Sequence, residues 1–250
     1  MSAPRISVVI ITKNEAINIR ACLESVSWAD EIIVVDSGSD DATADICKEF
    51  GAKVYVHDWP GFGAQKNRAL GYASNEWIFS IDADERVTPE LRMEIDAALK
   101  APHSIVAFRM PRLSSFCGKF IRHSGWYPDY VPRIFRRGSA EFSDDLVHER
   151  LVVNGSTGTL HNNLIHETFH DLESLLAKVN QYSSAGAVML HNKNKSASLK
   201  RAVSSALWAF FRAYILRAGF LDGREGFMVA VSTAEVTYYR YAKLMLLNRY

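Results

Sequence analysis

Hydrophobic and polar positions along the first hundred residues switch repeatedly between two periods. Ile6–Thr12 is a continuous apolar run rich in β-branched side chains, the pattern of a strand buried on both faces. Within Ile17–Val26, the apolar residues Ile19, Cys22, Leu23 and Val26 then recur at helical spacing. Glu31–Asp36 reads as a second buried strand. Ser39, Asp40 or Asp41 can cap a helix whose apolar face is Ile46, Cys47 and Phe50. Lys53–His57 is a third strand, Ala64–Ala73 a helix and Trp77–Asp82 a fourth strand. Thr88-Pro89 marks a helix start, with proline at the first helical position, and that helix runs to Lys100.

Strand and helix in alternation predict an α/β fold: a mostly parallel sheet flanked by helices. Ligands in such sheets sit at the carboxyl ends of the strands. Here those ends are polar: Lys13-Asn14-Glu15, Asp36-Ser37-Gly38-Ser39 and Asp82-Ala83-Asp84-Glu85. From Val106 to Leu164 short strands and aromatic loops replace the alternation. After Thr168 the pattern is helical, over Leu172–His191, Ser198–Ala218 and Gly226–Asn248. The expected division is a catalytic body over residues 1–170 and a helical C-terminal extension over 171–250.

Charge changes this picture at one place. The net charge of +1 conceals ten Lys/Arg against three Asp/Glu in residues 193–250, so a basic tail follows an acidic body. No nucleic-acid partner is expected. Three scattered cysteines, Cys22, Cys47 and Cys117, make neither a disulfide framework nor a zinc site. Ile6–Ile11 is too short for a signal peptide, and no stretch reaches transmembrane length. The expected location is cytoplasmic.

Candidate chemistry centres on Asp82-Ala83-Asp84. At a strand terminus, residues i and i+2 can project to the same side. A hard divalent cation takes such oxygen ligands and can bridge a diphosphate. The plain alternative is a solvated acidic turn before the Thr88 helix; placement after a fourth parallel strand favours function. Asp36–Thr43 is a second candidate: an acidic residue and a Gly-containing turn suit ribose or base recognition, and the helix that follows could attract phosphate. Ordinary turn chemistry explains the same residues equally well.

Together these segments resemble the family 2 glycosyltransferases of the GT-A (Rossmann-like) fold. The resemblance is carried by Ser7–Glu15, Asp36–Thr43, Gln65-Lys66-Asn67 and Asp82–Glu85, in that order. It implies that Thr12 and Glu15 line a nucleotide pocket and that Asp36 contacts uridine. It implies that Lys66 and Asn67 lie beside the diphosphate, that Asp82 is near the ribose, and that Asp84 binds a divalent metal, Mg or Mn. Trp126-Tyr127-Pro128-Asp129, Arg133–Arg137, Val147-His148-Glu149, Leu164-Ile165-His166 and Gly219–Gly226 resemble a lipopolysaccharide-core subgroup that adds β-1,4-glucose to a core heptose. That implies an inverting hexosyltransferase with a UDP-sugar donor and a lipid-linked glycan acceptor.

An inverting transfer needs a base within reach of the acceptor hydroxyl. Asp144, Asp145, His148 and Glu149 are the candidates, with Glu149 and Asp145 favoured and unranked. His166 is taken as a further metal ligand, with His161 and His170 as rivals; a lone histidine is more often structural. Arg133, Arg136 and Arg137 can meet a diphosphate or a phosphorylated acceptor, and Arg136 is taken as the binding residue; a solvated basic face is the alternative.

The tail combines Leu207–Phe211, Tyr214–Leu216 and Tyr238-Tyr239 with arginines and lysines. Such helices lie peripherally on anionic membranes, here the inner membrane, or else pack as a bundle on the body or in a homo-oligomer. Two other classes compete with the transferase reading. A nucleotidyltransferase normally has a Gly-rich, basic loop after its first strand, where this chain has Thr12–Glu15. A non-catalytic nucleotide-sugar binder has no need of Asp82, Asp84 and the later carboxylates.

Overall fold

The computed structural model describes residues 4–101, 104–143, 150–169 and 171–248. Its first part runs β1 (Ile6–Thr12), α1 (Ile19–Val26), β2 (Glu31–Asp36), α2 (Thr43–Glu49), β3 (Lys53–Val56) and α3 (Phe62–Tyr72). It continues with β4 (Trp77–Ser80), β5 (Glu85–Val87) and α4 (Pro89–Lys100). Then come β6 (Ile105–Phe116), β7 (Lys119–Phe120), β8 (Asp129–Arg136) and β9 (Ala140–Phe142). The last strands are β10 (Leu151–Val153), β11 (Ser156–Thr159) and β12 (Leu164–Phe169). The chain ends in α5 (Leu172–Asn192), α6 (Leu199–Phe211) and α7 (Gly223–Leu247), with a π turn (Arg212–Leu216) and a 3-10 turn (Gly219–Asp222) between the last two.

Two compact units are formed, Met1–Arg112 with Asp129–His166, and Leu113–Pro128 with Glu167–Tyr250. The second unit is thus not the helical tail alone. It also takes in residues 113–128, a segment that the sequence pattern assigns to the body.

In the first unit, β3, β2, β1 and β4 lie side by side and parallel, and β8 and then β6 continue antiparallel. Alternating side chains build a layer on each face, which is why the strands read as unbroken apolar runs. Val8, Ile10, Val34, Trp77 and Phe79 pack with Ile19, Cys22 and Leu23 of α1 and Leu91 and Ile95 of α4. Val9, Ile33, Val35 and Ile78 pack on the other face with Ala69 of α3 and Phe135 of β8. Cys22 and Cys47 are buried and unpaired, as their helical positions predict. The arrangement is the Rossmann-like α/β sheet of the GT-A fold.

Several boundaries differ from the pattern, for physical reasons. The fourth strand stops at Ser80, because the backbone turns at once, with Glu85 N donating to Asp82 O at 3.0 Å. Thr88 caps α4 as expected, its side chain accepting from Leu91 N, with Pro89 next. At α2, Asp41 is the acidic residue that accepts from Thr43 N, at 2.9 Å.

In the second unit, α6 packs on α7 through aromatic rings: Phe210 and Tyr214 lie 5.6 and 5.5 Å from Phe227. The predicted Ser198–Ala218 helix loses its α-helical register at Arg212, where the π turn begins. Residue 218 takes a left-handed conformation (φ 52°) before the 3-10 turn. Among the described residues no helix is long and apolar enough to cross a membrane.

Candidate active site

The carboxyl ends of β1, β2 and β4 place the polar motifs side by side. Register sets Thr12 opposite Asp36, and the Thr12 hydroxyl donates to Asp36 Oδ1 at 2.9 Å. Asp36 also accepts from Gly38 N at 2.9 Å, Ser39 N at 2.7 Å and the Ser39 hydroxyl at 2.5 Å. Four donors occupy a carboxylate that offers about four lone-pair sites. Asp36 therefore folds its own loop, and Gly38 makes the turn by adopting φ 76°. Glu15 closes the neighbouring loop: its N–H donates to Thr43 Oγ1 at 2.8 Å and its carboxylate accepts from Asn18 at 3.0 Å.

Three successive α3 residues tie three elements to this end of the sheet. Gln65 donates to Ser37 Oγ at 2.9 Å. Lys66, buried, reaches Asp82 Oδ1 at 2.9 Å. Asn67 exchanges two hydrogen bonds with the Phe142 backbone, both 2.8 Å, as donor to its C=O and acceptor from its N–H. Lys66 thus meets the Asp82–Asp84 turn. Asn67 does not join it: both ends of its amide hold β9.

At the end of β4 the acidic motif divides its work. Asp82 lies between two cations, with Lys66 on Oδ1 and Arg133 Nη2 on Oδ2 at 2.5 Å. Burial pushes the Asp82 carboxyl up, but Arg133 and then Lys66 outweigh it and hold the group well below the usual carboxylate range. Glu85 is fully buried. It accepts from Arg133 Nη2 at 2.6 Å and from Asp82 N at 3.0 Å, and Arg112 stands 3.5 Å away. For Arg133, burial favours the neutral guanidine, yet Asp82 and Glu85 raise its pKa further and keep it charged. Its Nε is buried without a hydrogen-bond partner.

Asp84 points to a different neighbour. β12 runs antiparallel to β5 with His166 opposite Glu85, and His166 Nε2 comes to 3.3 Å from Asp84 Oδ2. One carboxylate oxygen and one imidazole nitrogen this close form a partial donor set for a divalent cation. Mg²⁺ and Mn²⁺ are commonly held by few protein ligands, with waters and substrate phosphates completing the shell. The residues fit such an ion. Among the described residues no group of three or more His, Cys, Asp or Glu side chains gathers to hold a metal without such help.

Arg136 is not part of this cluster. β8 is antiparallel to β4 with Arg136 opposite Trp77, at the strand's amino end. There it pairs with Glu76 and lies 4.7 Å over the Trp77 ring. The same register carries Arg133, three residues earlier, to the carboxyl end, and Arg133 is the arginine at the site. His161 is also elsewhere: its N–H donates to Glu94 at 2.8 Å on an exposed segment. Asp145 and Glu149, with Asp144, His148 and His170, lie outside the described residues. The Asp82–Glu85 motif gives Glu85 no role of its own; the signal for one is a carboxylate on the inward position of a short strand, two residues before the inward Val87.

The sequence model of Glycosyl transferase family 2 matches residues 7–156, more than half of the chain. An uncharacterized glycosyltransferase of Rickettsia bellii is 34% identical, covering 98% of this chain and 87% of its own. The lipopolysaccharide core biosynthesis glycosyltransferase LpsC of Rhizobium meliloti is 29% identical, covering 95% and 93%. Among solved structures, glucosyl-3-phosphoglycerate synthase of Mycobacterium tuberculosis, in complex with Mn²⁺, UDP and glucosyl-3-phosphoglycerate, is similar with a TM-score of 0.48. Its identity is 20%, over 69% of this chain and 75% of that one. With three strand-end motifs and an α3 motif gathered at one edge of a Rossmann-like sheet and a family match across them, this chain is a family 2 glycosyltransferase.

Proposed function

We propose that the protein is an inverting, metal-dependent hexosyltransferase that moves a hexose, glucose by the subgroup resemblance, from a UDP-sugar to a lipopolysaccharide-core or related lipid-linked glycan. The observation that carries this reading is the Asp84–His166 pair, 3.3 Å apart, beside an Asp82 already bound by two cations. Asp84 and His166 would hold the ion. When bound, a divalent cation neutralises charge on the diphosphate leaving group. Lys66 and Arg133 keep Asp82 ionised and fixed in direction, toward the ribose side of the donor. The loops ordered by Asp36 and Glu15 form the nucleotide wall. The acceptor hydroxyl gives its proton to Asp145 or Glu149. The acceptor assignment draws on the likeness to LpsC, whose name places that protein in lipopolysaccharide core synthesis. Such an acceptor puts the enzyme's work at a membrane face.

The test is release of UDP from a panel of UDP-sugars, with Mn²⁺, with Mg²⁺ and with chelator, alongside calorimetric titration of Mn²⁺. Wild type is expected to turn over one UDP-hexose only with metal. Asp84→Ala and His166→Ala are expected to lose both Mn²⁺ binding and turnover while unfolding as wild type does. Equal turnover in chelator, or undiminished Mn²⁺ binding by both variants, would refute the reading.

A further inference from the structure

We infer that the segment from α6 through the 3-10 turn is a docking surface for an anionic lipid bilayer, lying in the plane of the interface. Leu207, Phe211 and Ile215 recur every fourth residue, and Trp208, Leu216 and Leu221 stand with them, all exposed; Leu207 keeps 67% of its surface in water. Ala202, Ala209 and Ala213 are the buried residues of α6 and the π turn, Phe210 and Tyr214 turn in toward Phe227, and the other large apolar side chains of that stretch are exposed. The Trp208 and Phe211 rings lie 5.9 Å apart and form one aromatic patch. Outward-facing Trp, Phe, Leu and Ile on one segment is a pattern that water alone does not favour and that a headgroup–acyl boundary accepts.

Charge selects the occupant. From Ser174 to Leu221 the chain has no Asp or Glu and seven Lys/Arg. Lys193, Lys195, Lys200, Arg201 and Arg212 are all exposed. Arg212 inside the apolar run, with Lys200 and Arg201 on the first turn of α6, complements anionic lipid headgroups. A second copy is the poorer occupant, because an isologous contact through this segment sets cation against cation. α7 also exposes apolar residues, but it carries Glu225 and Glu235, and Glu235 lines one groove with Leu207, so the surface excludes α7. The proposal rests on the transferase reading only for the presence of a membrane-borne acceptor; the surface is defined without it.

The experiment is co-sedimentation of the full chain with phosphatidylcholine vesicles, with and without phosphatidylglycerol, in rising salt. Binding is expected to require phosphatidylglycerol, to weaken with salt and to fall by about tenfold or more in Trp208→Ser/Phe211→Ser. Leu216→Ser/Leu221→Ser, at the far end of the surface, is an independent variant should the first not fold. Asp84→Ala is expected to bind vesicles as wild type does, so a failed transferase reading leaves this result standing. No binding to either vesicle, or equal binding by a folded double variant, overturns the proposal. So does a dimer in solution that the substitutions dissolve while vesicle binding is absent.

Discussion

Arg133 holds Asp82 and Glu85 through a single nitrogen, Nη2, at 2.5 and 2.6 Å. One guanidinium therefore links the first acidic residue of the strand-end motif to the last. Removing it leaves Glu85, which has no exposed surface, with the Asp82 amide at 3.0 Å and a single more distant cation, Arg112 at 3.5 Å, among the described residues.

Arg133→Met is expected to cost about 3–5 kcal/mol of stability, the scale for breaking a buried ion pair by deleting one partner. Arg133→Lys keeps the charge and is expected to fall between. Urea denaturation measures both. A loss below about 1 kcal/mol, the level of an exposed pair, would show that the network is solvated.

Asn67→Ala removes both bonds to the Phe142 backbone, for an expected loss of about 1–3 kcal/mol. Phe142 leads directly into the stretch that carries Asp145 and Glu149. On the proposed mechanism, turnover with acceptor should fall while KM for the donor is unchanged. A raised donor KM with unchanged kcat would instead put Asn67 in contact with the diphosphate, as the family resemblance implies.

Glu31 sets an acid limit on stability. Burial pushes its carboxyl up, but Lys53 Nζ at 2.7 Å, Ser7 and Ser74 outweigh burial and lower it to about 2. The folded value lies below the unfolded one, so this stabilisation is complete above the ordinary value of 4.5 and is lost as pH falls toward about 2. Allowing for the exposed Lys53, it amounts to about 2–3 kcal/mol. The difference in unfolding free energy between wild type and Glu31→Gln should shrink by roughly half that amount between about pH 7 and about pH 3, and by the rest only below about pH 2. A pH-independent difference would mean that Glu31 titrates alike in the folded and unfolded chain, so that Lys53, Ser7 and Ser74 do not favour its ionised form.

The legible parts of the fold are those with local causes. β1, β2 and β4 announce themselves because two-sided burial leaves apolar runs such as Val8, Val9 and Ile10. The α4 start follows from the Thr88 hydroxyl and the missing N–H of Pro89. Register between distant strands leaves no such trace. Whether Arg133 or Arg136 reaches the site depends on how β8 slides along β4, and both arginines sit in the same basic, aromatic stretch. His166 joins Asp84 through the β5–β12 register, which local pattern cannot supply. Likewise 113–128 resembles the strands around it, and its place with the helices is set by tertiary packing.

The saturated carboxylate of Asp36 has a dynamic consequence. The amides of Gly38 and Ser39 are bonded to it inside the chain. They should therefore exchange their hydrogens slowly even before nucleotide arrives, and binding should add little protection there. A pocket wall that is already rigid loses little conformational entropy on meeting its ligand. Affinity at this edge would then be governed by how well the nucleotide matches a preformed shape.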